Sequence, residues 1–311
     1  MGEGMMTRIA LATCSEFAEL TDDDKFLYEP LRRRGIDAVP VVWDDPHSNW
    51  AAFDLVVIRS TWDYAKQRDE FLSWAKTVPN LLNPVEIIRW NTDKRYLREL
   101  ESAGAPVVST QWIEPGEPIR LPGGELSGDD VAEIAPEYVI KPSVSAGSLD
   151  TGRYSIADLS HEALARDHVT RLLDRGATVM IQPYLSAVDA FGETAMLYFR
   201  GEFSHAIRKG PMLDGPDRGV EGLFRSERIT PRTPSDDEHK VAEQVLATIP
   251  GADELLYARV DLIPGADGSP ILLELELTEP SLFLDQDGGA AERFAEAIAD
   301  WLRPSLGGTT S

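Results

Sequence analysis

The 311-residue sequence predicts an α/β protein that begins with a βαβ parallel-sheet lobe and continues in α+β lobes built on antiparallel ribbons. Three observations point there. Apolar strand runs alternate with amphipathic helical patterns through residues 9–78, the rhythm of a parallel sheet with crossover helices. Later come alternating runs joined by short polar or Gly-containing turns, 193–199 with 203–208 and 257–263 with 271–277, which read as hairpins. The chain is also long enough for two or three separate cores.

Taken in order, residues 9–13 read as a buried strand and 22–34 as a helix with acids in its first turn, bases in its last and Gly35 as its stop. Strands follow at 38–43 and 55–59, and a helix at 70–78. Ligands of such sheets sit beyond the carboxyl ends of the strands. Arg59-Ser-Thr-Trp-Asp-Tyr64 is therefore placed either to present functional groups or to cap the sheet with Trp62. Asn91-Thr-Asp-Lys-Arg-Tyr-Leu97 opens a helix running to 103, capped by Asn91 or Thr92, with Gly104 and Pro106 beyond its end. Lys94 in that first turn opposes the helix macrodipole; it is badly placed for stability and well placed for an anion.

Residues 114–137, rich in Pro, Gly and acids, read as a loop with one short strand. The run Tyr138-Val-Ile-Lys-Pro142 then sets Lys141 in an apolar strand ahead of a Ser/Gly loop at 143–148. A buried ammonium needs a partner, and the N–H groups of such a loop can cradle phosphate oxygens. No Gly-Lys-Ser/Thr follows, so this is not a Walker loop. A helix over 161–175 leads to a strand at 178–185 ending in Gln182-Pro-Tyr-Leu185, with Asp189 shortly after. Residues 209–234 are long enough to be a lid over a site rather than a connector. Ser235-Asp-Asp-Glu238 is a capping box for a helix to 249, and 290–302 form the last helix.

A net charge of −23 disfavours nucleic acid and anionic membrane as partners by repulsion. The single cysteine, Cys14, excludes an intramolecular disulfide framework and a cysteine-rich zinc site, and beside an apolar run it reads as a small core residue. No stretch approaches a membrane span, and residues 1–8 have neither the basic flank nor the apolar core of a signal peptide. A cytoplasmic location is the expectation.

The chemistry concentrates in the ribbon 257–277. With its turn centred near Asp267 and Gly268, pairing sets Asp261 opposite Glu274 and Arg259 opposite Glu276, and strand alternation puts all four side chains on one face. Like charges directly opposite destabilise a sheet, so this face lacks a cation. A hard divalent ion, which takes one or two carboxylates plus substrate phosphates, would supply it. A solvated edge-strand face accounts for the same pattern.

The order of Lys94 at a helix start, Lys141-Pro before a Ser/Gly loop, Gln182-Pro-Tyr-Leu185 with Asp189, Arg259-Val-Asp261 and Glu274-Leu-Glu276 resembles the ATP-grasp superfamily of carboxylate–amine ligases over residues 90–280. The resemblance implies lobes at 1–90, 91–185 and 186–311, the last two clamping ATP. It implies ATP phosphates on Lys94 and Lys141 beneath Ser145, Gly147 and Ser148, adenine against Gln182, Tyr184 and Leu185, and ribose on Asp189. It further implies Lys209 and Arg259 as catalytic cations, with Asp261, Glu274 and Glu276 holding one or two Mg2+ ions, Mn2+ being the alternative. Several members carry Asn where Glu276 stands, so this chain adds a negative charge.

The strings Arg-Ser-Thr-Trp-Asp-Tyr, Asn-Thr-Asp-Lys-Arg-Tyr-Leu and Glu-Leu-Glu-Leu-Thr-Glu-Pro-Ser-Leu-Phe are most similar to the cycloserine-forming O-ureido-serine cyclo-ligases of antibiotic biosynthesis. The implied reaction is activation of a small amino-acid-like carboxylate as an acyl phosphate, followed by attack of an amine nitrogen of the same molecule. An intermolecular amide-forming ligase and a small-molecule kinase are the alternatives. Arg59, Asp63, Arg208 and Glu279 are candidates for gripping the substrate. A small molecule is the expected partner, and a homo-oligomer is left open.

Overall fold

The computed structural model describes residues 6–123, 136–213, 215–217 and 228–303. The first lobe is assembled from β1 (Thr7–Thr13), α1 (Tyr28–Arg33), β2 (Ile36–Val42), β3 (Leu55–Ile58), α2 (Arg68–Thr77) and β4 (Leu81–Leu82), its four strands parallel in the order β2-β1-β3-β4. β1 is buried on both faces, as strands of parallel sheets are. Ile9 and Leu11 enter one core with Leu27 and Leu31, while Ala10 and Ala12 enter another with Trp43, Tyr64 and Phe71. Small alanines leave room for those rings. Cys14 closes the strand in the second core, and burial pushes its thiol pKa up. The helix expected over 22–34 is divided. A 3-10 turn at Asp24–Leu27 precedes α1, because Pro30 has no N–H to extend α-helical bonding backwards.

α3 (Val85–Asn91) and α4 (Tyr96–Ser102) replace the single helix expected from residue 91. Asn91 ends α3 instead of capping a helix, and Lys94 lies in the connector between the two. The cause is tertiary: the Asn91 amide donates to Leu275 O (2.8 Å) and accepts from Leu277 N (2.7 Å). Asn83 makes a similar graft, donating to Tyr257 O (3.0 Å) and Leu277 O (2.7 Å) and accepting from Leu256 N (2.8 Å).

The second sheet is antiparallel. β5 (Gln111–Ile113), β6 (Glu137–Pro142), β7 (Gly152–Ser155) and, after α5 (Leu159–Asp174), β8 (Val179–Pro183) pair in the order β5-β8-β6-β7. Of the loop expected over 114–137, residues 124–135 lie outside the described residues. The third sheet follows α6 (Ala187–Phe191). Its strands are β9 (Glu193–Phe199), β10 (Glu202–Lys209), β11 (Ile229–Arg232) and, after α7 (Asp236–Ala247), β12 (Tyr257–Pro264) and β13 (Pro270–Glu276), in the order β11-β10-β9-β12-β13. The Ser235 and Glu238 capping box opens α7 as expected. Of the segment read as a lid, residue 214 and 218–227 lie outside the described residues.

The register of β12 on β13 is the expected one, Arg259 with Glu276 and Asp261 with Glu274. Beyond Asp261 it shifts, so that Leu262 pairs with Leu272. That bulge admits Leu273 as an extra residue, and Leu273 lines the cavity described below. Pro106 and Val108 exchange backbone hydrogen bonds with Leu272, which covers the outer edge of the ribbon.

α8 (Ala290–Leu302) returns to the first lobe. Its Phe294, Ala295 and Ile298 share a core with Ile9 and Leu11 and also with Phe199 and Tyr257 of the third sheet. The opposite face of that sheet, with Met196, Val260 and Leu275, packs on Tyr96, Leu97 and Leu100 of α4 and Ala242 and Val245 of α7. Helices α3 and α4 thus lie on the third sheet. Among the described residues no helix is long and apolar enough to cross a membrane.

Asn83 is fully buried, and truncating it strands one N–H and two carbonyls. Asn83→Ala is expected to lower unfolding free energy by about 1–3 kcal/mol for each group left unpaired, read as a reduced urea midpoint at unchanged m-value.

Candidate active site

One cavity of about 210 Å3 lies where the three lobes meet, lined by β6, β8 and the 143–148 loop on one side and by β12 and β13 on the other. Its most constrained charge is Asp261, which is 0% exposed. Arg259, two residues back on the same face, binds it with two donors, Nε to Oδ1 at 2.9 Å and Nη2 to Oδ2 at 3.0 Å. Lys209, at the end of β10, reaches Asp261 Oδ2 at 2.7 Å and Glu193 Oε2 at 2.9 Å. Arg259 also pairs with Glu276 and donates to Ser281 O (3.1 Å). The expected crowding of acids is real, and protein cations meet much of it.

Glu274 faces Lys94, with Nζ to Oε1 at 3.1 Å. The same ammonium donates to Ser145 O (2.7 Å), and the Lys94 N–H to Ser143 O (2.8 Å). The Ser/Gly loop is thereby tied to the α3–α4 connector. In that loop Gly147 and Ser148 are both left-handed, each with φ 59°, turning the chain back at the cavity wall. Lys141 is buried on β6 and has no carboxylate within ion-pair distance among the described residues. Burial, and then the like charges of Lys94 and Lys209, hold its pKa below the ordinary 10.5 despite the pull of Glu274.

Among the carboxyls, burial is opposed by Arg259 and then Lys209 at Asp261, and by Lys94 and then Lys141 at Glu274, so both stay below the usual range. Burial wins at the other two. With Asp261 and Glu274 nearby, Glu276 is pushed up to about 7. Glu279, buried and next to Glu276, is pushed up to about 8. Burial thus works against the charge of both carboxyls; Arg259 offsets it in part at Glu276, and a further cation would offset it at Glu279.

Of the expected nucleotide residues, Lys94, Lys141, Ser145, Gly147, Ser148, Gln182, Tyr184 and Leu185 line the cavity. Gln182 donates to Thr110 Oγ1 at 2.8 Å, and Tyr184 carries the Arg153 guanidinium 3.5 Å over its ring. Asp189 is outside the lining; its carboxylate accepts the Tyr184 hydroxyl at 2.6 Å. Lys209, Arg259, Glu274, Glu276 and Glu279 line the cavity, and Asp261 lies behind them, its oxygens taken by Arg259 and Lys209. Among the described residues no three acidic, imidazole or thiol groups form a ready-made metal cage. Glu274 and Glu276, two residues apart on one face and open to the cavity, fit a hard cation completed by phosphate oxygens and water.

Three expectations are corrected by the geometry. Arg59 is 2% exposed, bonded to Asp24 Oδ1 (2.8 Å) and Pro280 O (2.8 Å) and packed over Tyr257 and Phe294, so it joins lobes and does not face a ligand. Asp63 is outside the lining and accepts from Trp43 Nε1 at 2.9 Å. Arg208 alternates with Lys209 onto the other face and donates to Phe191 O (2.6 Å) and Ala190 O (3.1 Å). The Arg59–Tyr64 string does reach the cavity, through Trp62 and Tyr64. Sequence reading also missed Asn91 and Glu193 as cavity residues. For Glu193, directly opposite Lys209 in the β9–β10 register, the hairpin pairing was an available signal.

This architecture, a parallel lobe followed by two antiparallel sheets facing each other across a lysine-rich acidic cavity, is that of the ATP-grasp ligases. The ATP-grasp ligase PsnB complexed with minimal precursor, Mg and ADP superposes with a TM-score of 0.60 at 17% identity, over 97% of this chain and 99% of that one. A nearer relation is found in sequence. Residues 9–83 match the family model described as the N-terminal domain of the D-cycloserine synthetase DcsG. The cycloserine biosynthesis protein DcsG of Streptomyces lavendulae is 38% identical over 307 residues, spanning 95% of this chain and 99% of that protein. The crystal structure of D-cycloserine synthetase DcsG superposes with a TM-score of 0.82 at 35% identity, over 95% of this chain and 100% of that one. The chain belongs to the D-cycloserine synthetase family.

Lys141, desolvated and unpaired, weakens the ligand-free fold. Lys141→Met is expected to raise the melting temperature of the ligand-free protein by about 2 °C or more at pH 7, the scale of exchanging a buried charge for an apolar group. A base with a lowered folded pKa destabilises while it is charged, so the difference between variant and parent should narrow as pH rises toward 10.5.

Proposed function

We propose that the chain uses ATP and Mg2+ to activate the carboxylate of a small amino-acid-like molecule and closes a ring onto it from a nitrogen of that molecule, as in the conversion of O-ureido-serine to cycloserine. The observation that carries this reading is the convergence of Lys94, Lys141, Lys209 and Arg259, from four separate elements, on a cavity walled by Glu274 and Glu276. Four cations and paired acids around one space suit a metal-bound polyphosphate beside a reacting carboxylate. Family membership and ATP-grasp architecture point the same way.

A carboxylate is a poor electrophile, and its acyl phosphate is a good one, with phosphate as leaving group. Phosphoryl transfer asks of the protein mainly positioning and charge neutralisation. Mg2+ on Glu274 and Glu276 would supply bridging of phosphate oxygens. Lys94 and Lys141, beside the 143–148 loop, suit the nucleotide phosphates. Gln182, Tyr184 and Leu185 suit the base, in a wall made apolar by Val139, Ile263 and Leu273. Asp189 then acts on the nucleotide through the Tyr184 hydroxyl it holds. Lys209 and Arg259, fixed in place by Asp261, suit the charge that develops between the transferring phosphoryl group and the carboxylate. Met212 and Leu213, following β10, complete the enclosure that keeps water from an acyl phosphate.

The test is ADP release with O-ureido-serine, ATP and Mg2+, with mass spectrometry of the product. Cycloserine, ADP and free phosphate are expected, with the carbamoyl group of the ring nitrogen cleaved by water and released as carbon dioxide and ammonia. A stable phosphorylated product would instead make the chain a kinase, and condensation with a second amine an intermolecular ligase. Glu274→Gln should lower turnover by about 10²-fold or more, the scale of losing one preorganised electrostatic group, while leaving the far-UV circular dichroism unchanged. Turnover at the parent rate would remove Glu274 from the metal site.

A further inference from the structure

Just past β13, where the cavity wall meets the first lobe, lies a carboxyl that phosphoryl transfer does not use. Glu279 is 9% exposed and lines the cavity, as does Tyr64, itself 4% exposed. Among the described residues no lysine, arginine or histidine lies within ion-pair distance of it. A buried carboxyl with no ion-pair partner is costly as an anion; Glu276 and Glu274 add to that cost, and the more distant Lys94 only partly offsets it.

The backbone around it is held at three consecutive carbonyls. Thr278 O accepts the Tyr257 hydroxyl (2.7 Å), Glu279 O accepts the Trp62 indole N–H (3.0 Å), and Pro280 O accepts from Arg59 (2.8 Å). Two of those donors, and Tyr64 as well, come from the one string Arg59-Ser-Thr-Trp-Asp-Tyr64. A carboxyl that packing alone required could have been an apolar residue. One that lines a ligand cavity, with its backbone held on both sides and no ion-pair partner among the described residues, is complementary to a cationic group that arrives with the ligand.

We infer that Glu279 and Tyr64 form the receptor for the α-ammonium group of the substrate, with Trp62 as a positioning residue that fixes the Glu279 backbone. This rests on the ring-closing reading above and deepens it. An amine bound as ammonium against a carboxylate has no lone pair to offer. The substrate's α-nitrogen is thereby withheld from acyl transfer, and ring closure is left to the oxygen-bound nitrogen of the side chain, which displaces phosphate from the acyl phosphate. Acids that lack the amine leave Glu279 without a cationic partner and are rejected for that reason.

The experiment compares kcat/KM for O-ureido-serine and for its desamino counterpart, 3-(ureidooxy)propanoic acid, on the parent protein and on Glu279→Gln and Tyr64→Phe. The parent should prefer the amino compound by about 100-fold or more, the scale at which a site built to bond a polar group rejects the analogue without it. Glu279→Gln should bring that ratio down by about 100-fold and Tyr64→Phe by about 10-fold, as expected for a charged bond and for its supporting hydroxyl. A general structural defect lowers both substrates together, so an unchanged ratio in Glu279→Gln overturns the assignment. Should the parent not turn over O-ureido-serine, the ring-closing reading fails separately. The same ratio, taken on whichever amino acid stimulates ADP release and on its desamino counterpart, then decides the receptor: parity between the two in the parent overturns it, and a preference lost in Glu279→Gln upholds it.

Discussion

The Asp261 carboxylate, buried between the Arg259 guanidinium and the Lys209 ammonium, is the interaction on which the site is built. Removing one member of such a buried ion pair typically costs about 3–5 kcal/mol, because the remaining charge is left uncompensated. The three groups therefore fix one another. Arg259 and Asp261 share a face of β12, and Lys209 arrives from β10 with β9 lying between the two strands. The sheet must hold its order for the charges to meet. Once they do, Arg259 and Lys209 present their remaining donors to Glu276 and Glu193, and the cavity acquires a rigid cationic floor.

Around that floor, polar side chains rather than apolar packing alone join the lobes. Asn83 and Asn91 spend their amides on the backbone of β12, β13 and the residues just beyond. Arg59 does the same for Pro280. Buried amides and guanidinium groups demand full pairing, so each of these contacts has one acceptable geometry. That specificity sets the first lobe against the acidic ribbon and brings Trp62 and Tyr64 to the cavity.

The remaining charges in the cavity are left unbalanced. Lys141 is desolvated, and Glu276 and Glu279 are driven toward protonation, a combination that a fold selected for stability alone would not keep. Such groups gather where a charged ligand completes the set. The nucleotide, metal and amino-acid sites proposed for this cavity each answer one of these imbalances: polyphosphate at the lysines, a divalent ion at Glu274 and Glu276, an ammonium at Glu279.

The sequence by itself determined the local and short-range features. Strand alternation and a turn near Asp267 predicted the pairs Asp261 with Glu274 and Arg259 with Glu276, but near the turn Leu262 pairs with Leu272, and it is the bulge at Leu273 that restores the predicted pairs. Ser235 and Glu238 announced α7, and the 290–302 periodicity announced α8, since capping and amphipathic spacing act within a few residues. Contacts across 35 to 221 residues were decided only in the folded chain. Nothing near Arg59 in sequence says that its partners are Asp24 and Pro280, or that Trp62 rather than Asp63 meets the ligand wall. The α3–α4 break follows from Asn91 finding Leu275 and Leu277, a gain in buried hydrogen bonds that outweighs the local preference for one continuous helix. The aim of a charged side chain depends on which distant backbone and counter-charge can satisfy it, and that is a property of the assembled lobes.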